Sequence, residues 1–146
     1  MKENFNYKDV PANYMHCLNS QCPRSTDCLR FQVALHVDRD TTSFAVVNPA
    51  YVASRQECPF FQLDRLTRFA SGMKHLFDKV PYAKAIEIRD TLCSHFERNT
   101  YYRIRNKSRL ITPEEQAIIR QIFRDAGIQE EPVFDEYLEQ YNWQNH

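Results

Sequence analysis

Four of the five cysteines fall early in the chain, as Cys17-x4-Cys22-x5-Cys28 followed by Cys58. Thiolate sulfur is a soft donor, and four such groups close the tetrahedral shell of a structural zinc or hold an iron–sulfur cluster. Two of the four stand directly before proline, Cys22-Pro23 and Cys58-Pro59. The surrounding stretch is short of apolar residues, so a metal here would supply folding energy that the local core does not. His16 and His36 are candidate substitute ligands. The gaps of four and five residues are looser than the two-to-four-residue pairs typical of zinc sites, and they differ from the usual iron–sulfur runs. Spacing does not choose between the metals; the expectation is a structural zinc, with an iron–sulfur cluster as the alternative and small thiols packed as hydrophobes, with no metal, as the third reading. Cys93, beside Leu92 on the apolar side of an expected helix, reads as core; His95 is its only neighbouring base.

A second concentration of chemistry lies at Arg98-Asn-Thr-Tyr-Tyr-Arg-Ile-Arg-Asn-Lys-Ser-Arg109, which carries five positive side chains and no acid. The chain as a whole has 19 basic and 19 acidic residues, so bulk charge gives it no affinity for nucleic acid and any such binding must be local. On a helix over Asn99–Asn106, Tyr101 and Ile104 turn inward. Asn99, Thr100, Arg103, Arg105 and Lys107 are left to meet phosphates or base edges. Tyr102 lies along a sugar or stacks on a base, and Arg98 and Arg109 flank the site as phosphate contacts. The alternative is a solvated basic face neutralised by the acidic residues after Glu130, or one that meets an acidic protein partner.

The elements that must position these groups read as follows. Residues 1–24, interrupted by Pro11 and Pro23, form loop, and a short helix capped by Ser25 or Thr26 carries Leu29, Val33 and Val37 on one side. Ser43–Asn48 is the one strand-like run. From Gln62 the pattern turns helical. Leu63, Leu66, Phe69, Met73, Leu76, Phe77 and Val80 form one apolar stripe that includes Gly72 and ends at Pro81, and Ala85, Ile88, Leu92 and Phe96 form the next. Thr112-Pro-Glu-Glu115 is a capping box with proline at the first helical position, ahead of Ile118, Ile119, Ile122 and Phe123, and Gly127 is its stop. Val133, Phe134, Tyr137, Leu138 and Tyr141 again keep helical spacing. The expectation is a mainly α fold. A cysteine-rich, irregular N-terminal subdomain with minimal β (residues 1–61) packs on a C-terminal helical, helix-turn-helix-like unit (62–146), unless the two form one continuous domain.

Two resemblances attach to these residues. The segment Phe-Glu-Arg-Asn-Thr-Tyr-Tyr-Arg-Ile-Arg-Asn-Lys with the Pro-Glu-Glu helix behind it resembles the middle of Cro/repressor-type helix-turn-helix domains, over roughly residues 84–127. Those domains usually have a glycine at the bend, where this chain has Ser94-His95-Phe96-Glu97. The resemblance implies sequence-directed or general DNA binding, in a regulatory role. Over nearly its whole length the chain is also similar to a family of uncharacterised bacterial proteins known from Bacteroides-type genomes. The shared blocks are Cys-Pro, Cys-Leu-Arg, Cys-Pro-Phe-Phe, Tyr-Tyr-Arg and Thr-Pro-Glu-Glu-Gln. That family implies one folded unit and no activity.

Several classes are disfavoured. Two glycines, Gly72 and Gly127, cannot build a glycine-rich phosphate loop. His16, His36, His75, His95, Asp78 and Glu87 sit in no catalytic motif; there is no His-Glu-x-x-His, Gly-x-Ser-x-Gly or Walker sequence. A closed four-cysteine shell also leaves no open catalytic position; an electron-transfer cluster is the exception, and an iron–sulfur redox protein is the remaining alternative function. The N-terminal residues lack a signal-peptide core, and no run approaches the roughly eighteen apolar residues of a membrane span. The expected compartment is the cytoplasm, with thiols reduced.

Overall fold

The structure is a computed structural model that describes residues 1–144. Helices carry most of its regular structure: α1 (Leu29–Ala34), α2 (Pro49–Ala53), α3 (Tyr82–Phe96), α4 (Arg98–Arg105) and α5 (Pro113–Asp125). Two strands accompany them, β1 (Thr67–Ser71) and β2 (Glu136–Gln140). The chain divides into two compact units, Thr67–Gln140 and a second made of Met1–Leu66 with the chain from Tyr141 onward. Residues 145 and 146, the last positions of the expected 62–146 unit, lie outside the described residues.

The unit containing the N-terminus is largely loop. Ser25–Asp27 is itself a 3-10 turn rather than a cap, and α1 starts after Cys28 with no side-chain cap bond. Leu29 and Val33 are buried against Tyr14 and Tyr141, as their helical spacing demands. Ser43–Asn48 does not form the expected strand. It makes one parallel bridge, in which the His16 N–H donates to the Ala45 carbonyl at 2.8 Å and the Val47 N–H to the His16 carbonyl at 2.9 Å. The ladder stops there because Pro49 opens α2, with the Asn48 side chain accepting the Ala50 N–H at 3.0 Å.

In the Thr67–Gln140 unit, α3 buries Ile88, Leu92 and Phe96, and α5 buries Gln116, Ile119 and Phe123. Each large apolar side chain taken fully out of water here contributes roughly 1.5–3 kcal/mol. The α5 capping box forms as read: Thr112 Oγ1 accepts the Glu115 N–H at 3.2 Å and Glu115 Oε1 accepts the Thr112 N–H at 3.2 Å. Gly127, at φ 85, ends the helix with the Ile128 N–H reaching back to the Phe123 carbonyl at 2.9 Å. Gln116 Nε2 ties α5 to the sheet by donating to the Arg68 and Ile111 carbonyls, each at 3.1 Å.

Two helical expectations give way to sheet. The stripe from Leu63 to Val80 is not a helix: Thr67–Ser71 is β1, paired antiparallel with β2, so that Thr67 faces Gln140 and Ser71 faces Glu136. Phe69, Ala70, Ser71, Gly72 and Met73 are buried in succession, a pattern whose apolar members mimic helical spacing without having it. Gly72 then turns the chain at φ 83, and any Cβ there would run into the Asp135 carboxylate. That carboxylate accepts the Lys74 and His75 N–H groups at 3.1 and 3.2 Å, closing the turn. The tail is likewise β2 rather than helix. Phe134, before the strand, is buried, whereas Tyr137 and Leu138 stay exposed.

Candidate functional sites

The cysteine-bearing segments are gathered by backbone pairing around the start of α1. The Cys17 N–H donates to the Arg30 carbonyl at 3.1 Å, and Cys28 forms an antiparallel bridge with Leu63. Cys22 and Cys58 each sit at a turn, closed by Ser25 N–H to the Cys22 carbonyl at 3.1 Å and Phe61 N–H to the Cys58 carbonyl at 3.2 Å. Cys17, Cys22, Cys28 and Cys58 all line one cavity of about 30 Å³, shared with Arg24 and Arg30. Three of them, Cys17, Cys22 and Cys58, also border a larger cavity of about 190 Å³ beside Arg55. All four are free thiols. Burial pushes the Cys17 thiol up, the Asn19 backbone draws it down, and the nearness of Cys28, Cys58 and Cys22 adds to the rise. Among the described residues no three His, Cys, Asp or Glu side chains are drawn together to ligating distance.

The two histidines are otherwise engaged. His16 is buried, with Nδ1 2.9 Å from the Tyr14 carbonyl and 3.2 Å from that of Ala45, and Nε2 2.8 Å from the Tyr7 hydroxyl. Nδ1 is therefore the protonated nitrogen, and Nε2 accepts from Tyr7. Burial lowers the pKa of His16, against the two carbonyl bonds. His36 Nδ1 lies 2.8 Å from the Gln32 carbonyl, and its ring meets Phe5 edge-on. Neither histidine lines the cysteine cavity. Cys93 packs against the α3–α5 core, as its neighbours suggested.

In the other unit, Glu97 alone separates α3 from α4, at φ 66 and ψ 147. α4 ends in a Schellman turn: Ser108 N–H donates to the Arg103 carbonyl at 2.9 Å and Lys107 N–H to that of Ile104 at 3.2 Å, with Lys107 at φ 67. Tyr101 and Ile104 are 1% and 0% exposed, so the inward face of α4 is fixed. Arg98, Asn99, Tyr102 and Arg103 are exposed, whereas Thr100 and Arg105 are half-buried at the edges of that face. The Arg98 guanidinium lies 5.9 Å from the Tyr102 ring centre. Lys107 Nζ meets Glu136 Oε1 at 2.5 Å, and Arg109 Nη1 meets Glu115 Oε2 at 2.7 Å. The Glu136 bond raises the pKa of Lys107. Arg98, Arg103 and Arg105 form no ion pair among the described residues.

Over residues 1–143 the sequence matches a family described as a family of unknown function, DUF6078. The chain belongs to DUF6078. No curated protein and no solved structure matches it. Membership in DUF6078 spans both the cysteine blocks and the Tyr-Tyr-Arg stretch and brings no helix-turn-helix assignment. No helix of this DUF6078 chain is long and apolar enough to cross a membrane, among the described residues.

Two arginines at the cysteine cavity carry only a faint sequence signal. Arg24 and Arg30 each stand two positions after a cysteine, in Cys22-Pro-Arg24 and Cys28-Leu-Arg30, and that repeated offset was the available signal. In the sequence Glu136 is only one acid of a diffuse acidic tail, because its approach to Lys107 depends on β2 being a strand.

Proposed function

We propose that this chain binds duplex nucleic acid, DNA by preference, through the outward face of α4. The observation that carries the reading is the sorting of α4 by burial. Tyr101 and Ile104 anchor it, leaving Asn99, Tyr102 and Arg103 outward with Arg98 beside them and Arg105 at the edge. Guanidinium groups without carboxylate partners keep their charge available for phosphates, and Asn99 and Arg103 are residue types that make paired hydrogen bonds to base edges. Lys107 and Arg109 take a smaller part than their sequence positions suggested, since each is held by a carboxylate.

Fluorescence anisotropy with a labelled duplex tests this. With Arg98, Arg103 and Arg105 each covering about one phosphate, log affinity falls against log salt with a slope of roughly −2 to −3. Arg98→Ala with Arg103→Ala flattens that slope by about two units and leaves the helical circular dichroism unchanged. Failure to retain any duplex at low salt refutes the reading. A second reading, a protein-interaction module for an acidic partner, is favoured by the two carboxylates already seated on this stretch. It predicts binding to acidic peptides with duplex ignored.

A further inference from the structure

The cavity bounded by the four early cysteines has a size, a donor set and a charge environment that together narrow its occupant. We propose that Cys17, Cys22, Cys28 and Cys58 bind a single zinc ion as a closed tetrathiolate site, with Arg24 and Arg30 balancing its charge and Arg30 also holding the ligand segments in place. The inference does not depend on the nucleic-acid reading of α4.

The donor set and the narrow cavity favour a single ion. A cavity of about 30 Å³ has room for one ion, which four thiolates reach by closing in to Zn–S distances of about 2.3 Å. A cluster also takes four thiolates, and iron and acid-labile sulfide content separates it from a single ion. An all-sulfur shell is wrong for magnesium or calcium, which take oxygen. The thiols come from four turns and segment ends and do not stand at ligating distance without an ion, so loading must draw the side chains in; neutral thiols have no attraction that would do so unaided. The larger cavity on Cys17, Cys22 and Cys58 is the side from which an ion would enter.

Charge is the second constraint. Loading releases four thiol protons and leaves a zinc tetrathiolate of net charge −2, which is costly beside apolar walls unless cations stand near. Arg24 and Arg30 both line the cavity, and two guanidinium charges match that total. Arg30 is 0% exposed. Its carbonyl accepts from Cys17, its Nε donates to the Phe60 carbonyl at 2.8 Å and its Nη1 to the Met15 carbonyl at 2.9 Å. One residue thus links the segments bearing Cys17, Cys28 and Cys58, the role that residues around a metal's ligands play in fixing their geometry.

The test uses full-length protein purified without oxygen from zinc-supplemented cells. Elemental analysis is expected to give one zinc per chain, with a colourless spectrum. Replacing zinc by cobalt(II) gives the intense visible bands of a tetrahedral thiolate complex. Before chelation a thiol reagent titrates at most Cys93, and after chelation the four ligand cysteines react as well. Cys93→Ser keeps the zinc; Cys28→Ser and Cys58→Ser lose it. Because the latter two variants can fail to fold, the thiol count on the unaltered protein is the deciding measurement. Five thiols freely reactive in protein reconstituted with zinc(II) overturn the site. Brown protein containing iron and acid-labile sulfide overturns the single-ion assignment.

Discussion

Tyr101 holds α4 to its unit by a phenol ring that is 1% exposed. Burial raises its pKa above the ordinary value of 10.0; Cys93 adds to the rise and Arg105 opposes it. The folded chain therefore keeps this proton to a higher pH than the unfolded chain does. The contribution is fully present below about pH 10 and is lost as pH climbs through the raised folded value. Urea midpoints measured from pH 9 upward should fall more steeply for the native sequence than for Tyr101→Phe, and parallel curves would dispose of the idea. The inward placing of Tyr101 and Ile104 was legible in the sequence because a three-residue offset among polar neighbours is a local pattern. The pairing of Lys107 with Glu136 was not legible, since the two are 29 positions apart and meet only through the tertiary fold. Glu115 was half legible. Its capping role follows from Thr112-x-x-Glu115, but its second oxygen also holds Arg109.

Among the elements, α5 was readable from end to end because its cap, first-turn proline and terminal glycine all act within a few residues of one another. β1 and β2 were not readable, because each is a strand only by virtue of the other, some seventy positions away. The bend between α3 and α4 shows a sequence accepting strain. Glu97 occupies a backbone region that side-chain-bearing residues enter at a cost of about 1–3 kcal/mol. Glycine enters freely but loses about 0.5–1 kcal/mol in unfolded-state entropy. Glu97→Gly is therefore expected to stabilise the protein by about 1 kcal/mol, read as a higher urea midpoint at unchanged slope. A lower midpoint would mean that the Glu97 side chain makes a contribution larger than the strain.

At the scale of the molecule, the neutral charge balance and mainly helical character were readable from composition and periodicity. The early clustering of cysteines was readable too, but their convergence on one cavity needed the bridges His16–Val46 and Cys28–Leu63, which no local pattern announces. Thr67 and Gln140 face each other across the β1–β2 ladder, so the segment between them begins and finishes at neighbouring points, about 5 Å apart. Its helices and its apolar core lie wholly inside that interval. A fragment of residues 67–140 is accordingly expected to unfold cooperatively by itself in calorimetry, whereas a broad, heatless transition would contradict it. The same geometry makes the segment portable: with its two ends already side by side, it can be grafted into a surface loop of another protein, or given new termini elsewhere, at little entropic cost.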